Sequence, residues 1–489
     1  MIEEQSMNKS RAVIITLLMC VVAAAFSTFS VEGPVSIRPV SARAHDFQIE
    51  PDPIPTIPYT PEPSIRVKMN ALDNNGAASR DTLCGKEDGR FLYGCTAFCV
   101  DSGVDPDRCN REQRLAYPYG EDSVPWLDIE GDYLPDVLSQ EMGPDFEDVS
   151  LLAGAIAMRS YVLQLFEWLE DHTINNSTQY QAFIPYKFNT YQPASPGIAC
   201  GVPDPLLDEK QRRICNAIAP RYYLSPDYND YPARANHIGD ILGNTETAYD
   251  KEGNIEKPYL IGVNDPISFS CYAYTVNEDQ RYGMSQSGAN RWVRGNQCYL
   301  DSYGSEPWSV RWTTAEQILF HYFTRVQLRD ASNGKQILSP DWRWNPLRIE
   351  WGTPDNQPPV MVAGRTSTFK IEIQNTGIDT WSCDFEGEIP IPREYYRLRY
   401  RWLTSDAAII TTGEGVPVCD LEPGSSTSVE LPVWIPANLP GEYILRLDMY
   451  HTSTYFWFSD GGWPPYDVPV RIIPPPNPTP TATSCGNDC

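Results

Sequence analysis

The stretch Asp132-Tyr133-Leu134-Pro135-Asp136-Val137-Leu138-Ser139-Gln140-Glu141-Met142, with the apolar run behind it, decides the fold. Leu134, Val137, Leu138 and Glu141 recur at helical spacing, so one helix face is apolar and ends in a carboxylate. A carboxyl withdrawn from water favours its neutral form, and a general acid is made from glutamate in that way. A glutamate at a helix end can equally turn back to solvent and do nothing. The helix alone leaves both readings open.

Gly143-Pro144 ends this helix, and Asp145 or Asp148 can cap the next. The second helix, Val149 to Glu170, is apolar nearly all round from Leu151 to Met158, the mark of a buried helix. Arg159 is its one early charge. A guanidinium keeps its proton, so a buried one must meet a carboxylate or carbonyls. Glu141 is the expected partner. Such a pair would favour the charged carboxylate, and Arg159 would then orient substrate or structure.

Upstream, Ser64 to Met69 alternates as a short strand, and Val124 to Ile129 leads into the first helix. Downstream, Lys187 to Asn254 is irregular, and its lone histidine, His237, reads as structural. Ile267 to Val276 is strand-like. Gly283-Met284-Ser285-Gln286-Ser287-Gly288-Ala289-Asn290 makes a Gly-flanked turn into a short helix begun by Ser285, exposing N–H groups and hydroxyl or amide side chains. Thr313 with Glu316 forms a capping box for a helix whose Ile318, Leu319, Tyr322 and Phe323 face inward, closing a domain near Asp330. After Trp342-Arg343-Trp344 the pattern turns to strands: Thr368–Gln374, Glu394–Trp402, Thr427–Trp434, Tyr443–Tyr450 and Val468–Ile473. No acid pair, histidine cluster or nucleophile stands out there, so binding or spacing is its default role.

The 489 residues therefore divide as 1–33, a signal peptide or N-terminal anchor; 34–63, a proline-rich linker; 64–335, an α+β domain with a disulfide-rich insertion; 345–474, an all-β sandwich; and 475–489, a Pro/Thr-rich tail. Lys9 and Arg11 precede the apolar run Ala12–Phe26, which places the rest outside the cytoplasm, secreted or held at the cell membrane. No other segment reads as a membrane span. The net charge of −26 speaks against nucleic acid and anionic membrane surfaces as partners. Of 13 cysteines, setting Cys20 aside leaves an even number in an exported chain, so disulfides are expected. Cys84, Cys95, Cys99 and Cys109 form one cluster, with zinc as the rival reading. The simplest other pairs are Cys200–Cys215, Cys271–Cys298, Cys383–Cys419 and Cys485–Cys489.

These blocks resemble, in order, those of the SpoIID/LytB family of bacterial cell-wall proteins. Gly131–Met142 is similar to the family's Glu-Met block, Leu151–Leu163 to its second helix, and Arg281–Ala289 with Trp312–Phe323 to its Gly-Met-Ser-Gln block and closing helix. Asn236–Glu246 is a weaker echo. The resemblance implies a SpoIID-like α+β fold and a lytic transglycosylase acting on peptidoglycan glycan strands. Glu141 becomes its catalytic acid, and Arg159, Tyr161, Ser285 and Gln286 bind substrate or support the site. No cofactor is expected, with a metal left open: some relatives hold one with Cys and His, and no convincing matching pair stands in this chain. Leu152 and Gly154 stand where the family has Lys and Gln, and Gln280 where it has His. The C-terminal region resembles four-tryptophan Ig-like domains through Asn375-Thr376-Gly377, Thr380-Trp381, Pro440-Gly441-Glu442-Tyr443 and Trp457-Phe458.

Three readings follow. The first is a transglycosylase with Glu141 as its single acid and base. The second is a catalytically degenerate wall-binding protein or amidase enhancer, with a cell-wall amidase as partner. The third is a two-carboxylate glycosidase using Asp145 or Asp148 as the second acid.

Overall fold

The computed structural model describes residues 126–169 and most of 173–476, with short strands at 64–68, 83–87, 90–93 and 115–116. Within that range 176–179, 192–199, 202–205, 269–280, 298–306, 353–356, 385–392 and a few shorter segments are not described. The expected signal or anchor, linker and most of the tail lie outside the described residues, as does Gln280. So do the side chains of the Cys84 cluster and of the Cys271–Cys298 and Cys485–Cys489 pairs. Cys200–Cys215 is formed, and Cys419 is disulfide-bonded.

The first half is built around a small sheet and a buried helix. β1 (Ser64–Lys68) runs antiparallel to β2 (Trp126–Asp128) and parallel to β3 (Thr173–Asn175). Ile65 and Val67 point to the core on either side of the partly exposed Arg66, the period-2 burial of a one-faced sheet. After β2 the chain makes a wide π-type turn, Ile129–Tyr133, where Asp128 Oδ1 accepts from Gly131 N at 2.6 Å. That turn feeds α1 (Leu134–Glu141), with Pro135 in its first turn where a missing N–H costs nothing. Leu134, Val137 and Leu138 are fully buried, as their spacing predicts.

α2 (Asp148–Trp168) begins at Glu147, not at a side-chain cap from Asp145 or Asp148. The cap comes from elsewhere: Asn290 Oδ1 accepts from Glu147 N at 2.8 Å. Leu151, Ala155, Met158 and Val162 join a core with α1, β1, β2 and α3 (Glu209–Ile218), while Ala153, Ile156 and Ala157 join a second, larger one. α2 is thus a wall between two cores. By length and composition its 148–166 stretch could cross a bilayer, which the sequence reading did not expect, but most of it is buried inside the protein. α1 and α2 approach closely because residue 154 is glycine: a Cβ there would stand 2.1 Å from Met142 Sδ.

The remaining elements of this half are β4 (Tyr222–Pro226), β5 (His237–Ile238), β6 (Met284–Ser285), α4 (Gln286–Arg294), α5 (Ala315–Tyr322) and β7 (Val326–Asp330). β4 pairs antiparallel with β7, and β5 pairs parallel with β6. The capping box of α5 is Thr314 with Gln317, one residue beyond the expected Thr313 and Glu316. Gln317 Oε1 accepts from the N–H of both threonines, at 3.0 and 3.3 Å, which an acidic Glu316 one position earlier does not do. Of the expected strand from Ile267, the described part is a 3-10 turn, Pro266–Ser268.

The C-terminal region is strand-rich. β8 (Trp344–Glu350), β10 (Thr366–Asn375) and β13 (Ser426–Trp434) form one antiparallel sheet. A second sheet orders β9 (Val360–Val362), β15 (Tyr466–Ile473), β14 (Gly441–His451), β11 (Tyr396–Leu403) and β12 (Ile409–Thr412), with β9 parallel to β15. Phe369, Ile371 and Ile373 on β10, and Val468, Val470 and Ile472 on β15, alternate inward. The larger core runs from α5 into both sheets without interruption. Trp308 Nε1 donates to Leu347 O at 2.8 Å, Trp312 Nε1 to Pro346 O at 3.0 Å, and the Arg343 guanidinium lies 3.8 Å over Phe320. The change of composition near Trp342 marks a change of secondary structure, while the core continues through it.

Candidate functional site

Glu141 is the last residue of α1 and is half-buried; Gln286 is the first residue of α4 and is buried. They meet across 145 residues of sequence, Gln286 Nε2 donating to Glu141 Oε2 at 2.9 Å. Local chemistry places Gln286. Gly283 has φ +86, and a Cβ there would stand 2.1 Å from Asn236 O, so only glycine lets the chain pass. Met284 N then donates to Asn236 O at 2.9 Å, and Ser287 N to Gly239 O at 3.0 Å, docking the block on β5. Ser285 Oγ accepts from Gly288 N at 2.9 Å and caps α4, as the sequence predicts. Fully buried, Ser285 shapes the turn that presents Gln286.

Around this contact lie phenols and one guanidinium. Burial pushes the Tyr133 phenol well above its ordinary range, and the neighbouring Tyr161 and Glu141 push it the same way. It stays protonated and donates to Gln181 Oε1 at 2.9 Å, while Gln181 Nε2 donates to Met158 O at 3.1 Å. Burial also raises Tyr161, against the charge and hydrogen bond of Arg234. Arg234 is held by Glu256 at 2.7 Å and opposes the burial that raises the half-exposed Tyr282. The Tyr161 ring meets His237 edge-on at 5.9 Å. The arrangement offers a carboxyl fixed by an amide, flanked by neutral hydroxyls and rings. It can move a proton on a polar substrate.

Arg159 does not pair with Glu141. Its guanidinium is fully buried and all five N–H groups are used. Nε and Nη2 reach Glu130 at 2.7 Å each, Nη1 donates to Pro220 O and Tyr222 O at 3.2 and 3.0 Å, and Nη2 to Ile218 O at 2.8 Å. The reason is placement: Glu130 lies in the turn before α1, whereas Glu141 lies at the far end of that eight-residue helix, roughly 12 Å along it. Arg159 therefore clamps the end of α3 and the start of β4 onto α2. Asp145 and Asp148, 79 and 78 % exposed, face Lys210 and Arg213 on α3.

The sequence, through its family resemblance, points to Glu141, Arg159, Tyr161, Ser285 and Gln286, and does not single out Glu130, Gln181 or Arg234. A buried arginine demanding a carboxylate was the signal for Glu130, but the turn around it has no helical or strand period to place it. Among the described residues no three His, Cys, Asp or Glu side chains gather as a metal-binding group.

Residues 120–200 match the family model of SpoIID, the stage II sporulation protein. The SpoIID match covers the turn carrying Glu130, α1 with Glu141, and α2 with Arg159 and Tyr161; Arg234 and Gln286 lie beyond it. At family level it supports a cell-wall-related, lytic role with peptidoglycan as the substrate class. A search of curated proteins returns no match. Among solved structures, the chain is similar to a Niemann-Pick type C2 protein from the Japanese carpenter ant, at 6% identity over 27% of this chain and 89% of that one, with a TM-score of 0.19. The CARDB domain of a Pyrococcus furiosus protein matches at 11% identity over 28% of this chain and 95% of that one, with a TM-score of 0.16. A family 123 glycoside hydrolase from Clostridium perfringens matches at 10% identity over 24% and 22%, with a TM-score of 0.14. Likenesses this weak assign neither fold nor function.

Proposed function

We propose that this chain is an exported cell-wall protein that cuts peptidoglycan glycan strands by lytic transglycosylation, with Glu141 as its single acid and base. The observation that carries the proposal is the Glu141–Gln286 hydrogen bond, which joins the SpoIID-matched helix to the Gly-Met-Ser-Gln block. Glu141 gives its proton to the glycosidic oxygen as the bond from that oxygen to the anomeric carbon breaks. The carboxylate then takes the proton of the sugar's own 6-hydroxyl, whose oxygen bonds to the anomeric carbon and closes a 1,6-anhydro ring. No enzymic nucleophile is needed, unlike a retaining hydrolase. Gln286 holds Oε2 and stabilises the carboxylate left after the first transfer. The strand-rich region, Ig-like in its motifs, serves for adhesion or spacing.

The test is digestion of glycan strands stripped of peptides. Wild type is expected to release anhydro-muramyl products and Glu141→Gln to release about 10²–10⁴-fold less. Equal yield from the two proteins would end the proposal. One observation favours a degenerate, amidase-enhancing protein instead. Gly154 stands where the resemblance has glutamine, and the Met142 thioether occupies the space over it, so a polar group near the end of α1 has become apolar. That reading predicts stimulation of a cell-wall amidase that survives Glu141→Gln.

A further inference from the structure

α4 has a second functional end. Its first residue, Gln286, meets Glu141, and its C-cap, Gly295, lines a groove of about 600 Å³ between the helical half and the strand-rich region. Nine residues of helix separate the two, roughly 14 Å along the axis. The volume is that of a small-ligand site. Its floor is aromatic: Trp308 and Trp351 show 7 and 9 % of their surface, and Tyr466 stands beside them. Trp308 Nε1 is committed to Leu347 O and the Arg348 guanidinium lies 5.2 Å over its ring, so only a small part of this indole faces the groove. Burial pushes the Tyr466 phenol up to about 12, and the neutral hydroxyl donates to Ser309 O at 3.0 Å.

The rim is polar, with Arg311, Thr313 and Asp467. The Asp467 carboxylate is taken by Arg446, at 2.7 Å to each oxygen. That leaves Arg311, whose stem lies across Gly295 and whose side chain is exposed, as the rim's cation in a chain of net charge −26. Rings below and hydrogen-bonding groups around are what a pyranose needs: its C–H face packs on the rings while its hydroxyl and amide groups turn to the rim. The charge selects further. Asp467 is paired with Arg446, and Arg311 suits a sugar that bears a carboxylate.

We propose that this groove is a second saccharide site, binding a carboxylate-bearing amino-sugar segment of the glycan strand at a distance from the cutting site. The ligand class rests on the peptidoglycan reading; the groove does not. Two sites on one polymer raise the local concentration of substrate at the first while the second is occupied.

The experiment measures binding of soluble, peptide-stripped glycan strands to full-length Glu141→Gln protein, then to the same protein carrying Arg311→Ala or Thr313→Trp. Both positions are exposed, and circular dichroism checks that each variant folds. The expected result is at least tenfold weaker binding for either variant, with neutral chitin oligosaccharides less affected by Arg311→Ala than carboxylated strands. Undiminished binding in both variants overturns the groove site, as does binding of a proline-rich peptide there with no strand affinity. The digestion assay separates the two claims. Anhydro products from wild type with unchanged variant binding would leave the cutting site standing alone, while lost variant binding without anhydro products would leave the groove standing alone.

Discussion

The carboxyl groups of Glu141 and Asp265 are both held by side chains of α4, and they could hardly be housed more differently. Asp265 is fully buried and saturated. Trp292 Nε1 donates to Oδ1 at 2.9 Å, and Ser268 Oγ and Tyr322 OH donate to Oδ2 at 2.9 and 2.8 Å. Beside it Arg291 grips Asp240 with two hydrogen bonds of 2.8 and 2.7 Å, and His321 reaches on to Gln374 of the strand-rich region at 2.7 Å. Glu141 is half-open and steadied by an amide. A buried charge must be surrounded by partners to be tolerated at all, and such a site has no room for a reaction. The same helix thus seals one acid in and holds the other half-open, where the proposed function puts the chemistry.

That contrast can be broken by experiment. Glu141→Gln should lower strand cleavage by about 10²–10⁴-fold, the usual worth of a general acid–base group, while leaving the chemical denaturation midpoint nearly unmoved. A matching loss of stability would make Glu141 a second Asp265. Asp265→Ala should do the reverse. It strands three buried donors, and equilibrium unfolding should show a loss of about 3–5 kcal/mol. If stability holds, the sealed centre is not structural.

Asp448 tests the comparison on a third acid. It is buried in β14 with Arg401 at 3.5 Å, and burial raises its carboxyl to about 7 against the opposing Ser459 hydrogen bond and Arg401 charge. A raised carboxyl binds its proton more tightly in the folded state than in the unfolded one. Stability should therefore fall as pH rises from about 4 to about 7, by up to about 1.4 kcal/mol per pH unit from this group. Asp448→Asn should flatten that slope in urea titrations across the window. A slope identical to wild type would show that Asp448 titrates normally. The smallest effect expected is that of Gln286→Ala, about a tenfold loss of turnover with little change in KM, since in the proposed mechanism Gln286 positions the acid and does not grip the sugar. A change confined to KM would count against that role.

Elements with a local period were legible in the sequence. Leu134, Val137 and Leu138 gave α1 its face, Ser285 gave α4 its cap, and the alternation from Phe369 to Ile373 gave β10. What could not be read was partnership between distant segments. Glu130 sits in a π-type turn that leaves no period, so the sequence pairs Arg159 with Glu141, at the other end of α1. Asn290, which serves α2 as its cap from 143 residues away, carries no local sign of doing so. The Thr314–Gln317 cap was misplaced by one because two threonines stand together and backbone geometry, not residue type, chooses between them. For Glu141 the sequence supplied the acid and the resemblance supplied Gln286; their contact needed the parallel pairing of β5 with β6, two residues long and invisible to any pattern.

The uninterrupted core between the helical half and the strands has a mechanical consequence. β15 is bonded along one edge to β14 and along the other to β9, and behind it the tryptophans lock both halves together. A pull along β15 loads two ladders in shear, many bonds at once, where a peeled hairpin would give way one bond at a time. The load then passes into the helical half through the shared core. A chain dragged against a taut polymer mesh would resist as a single block and yield all together.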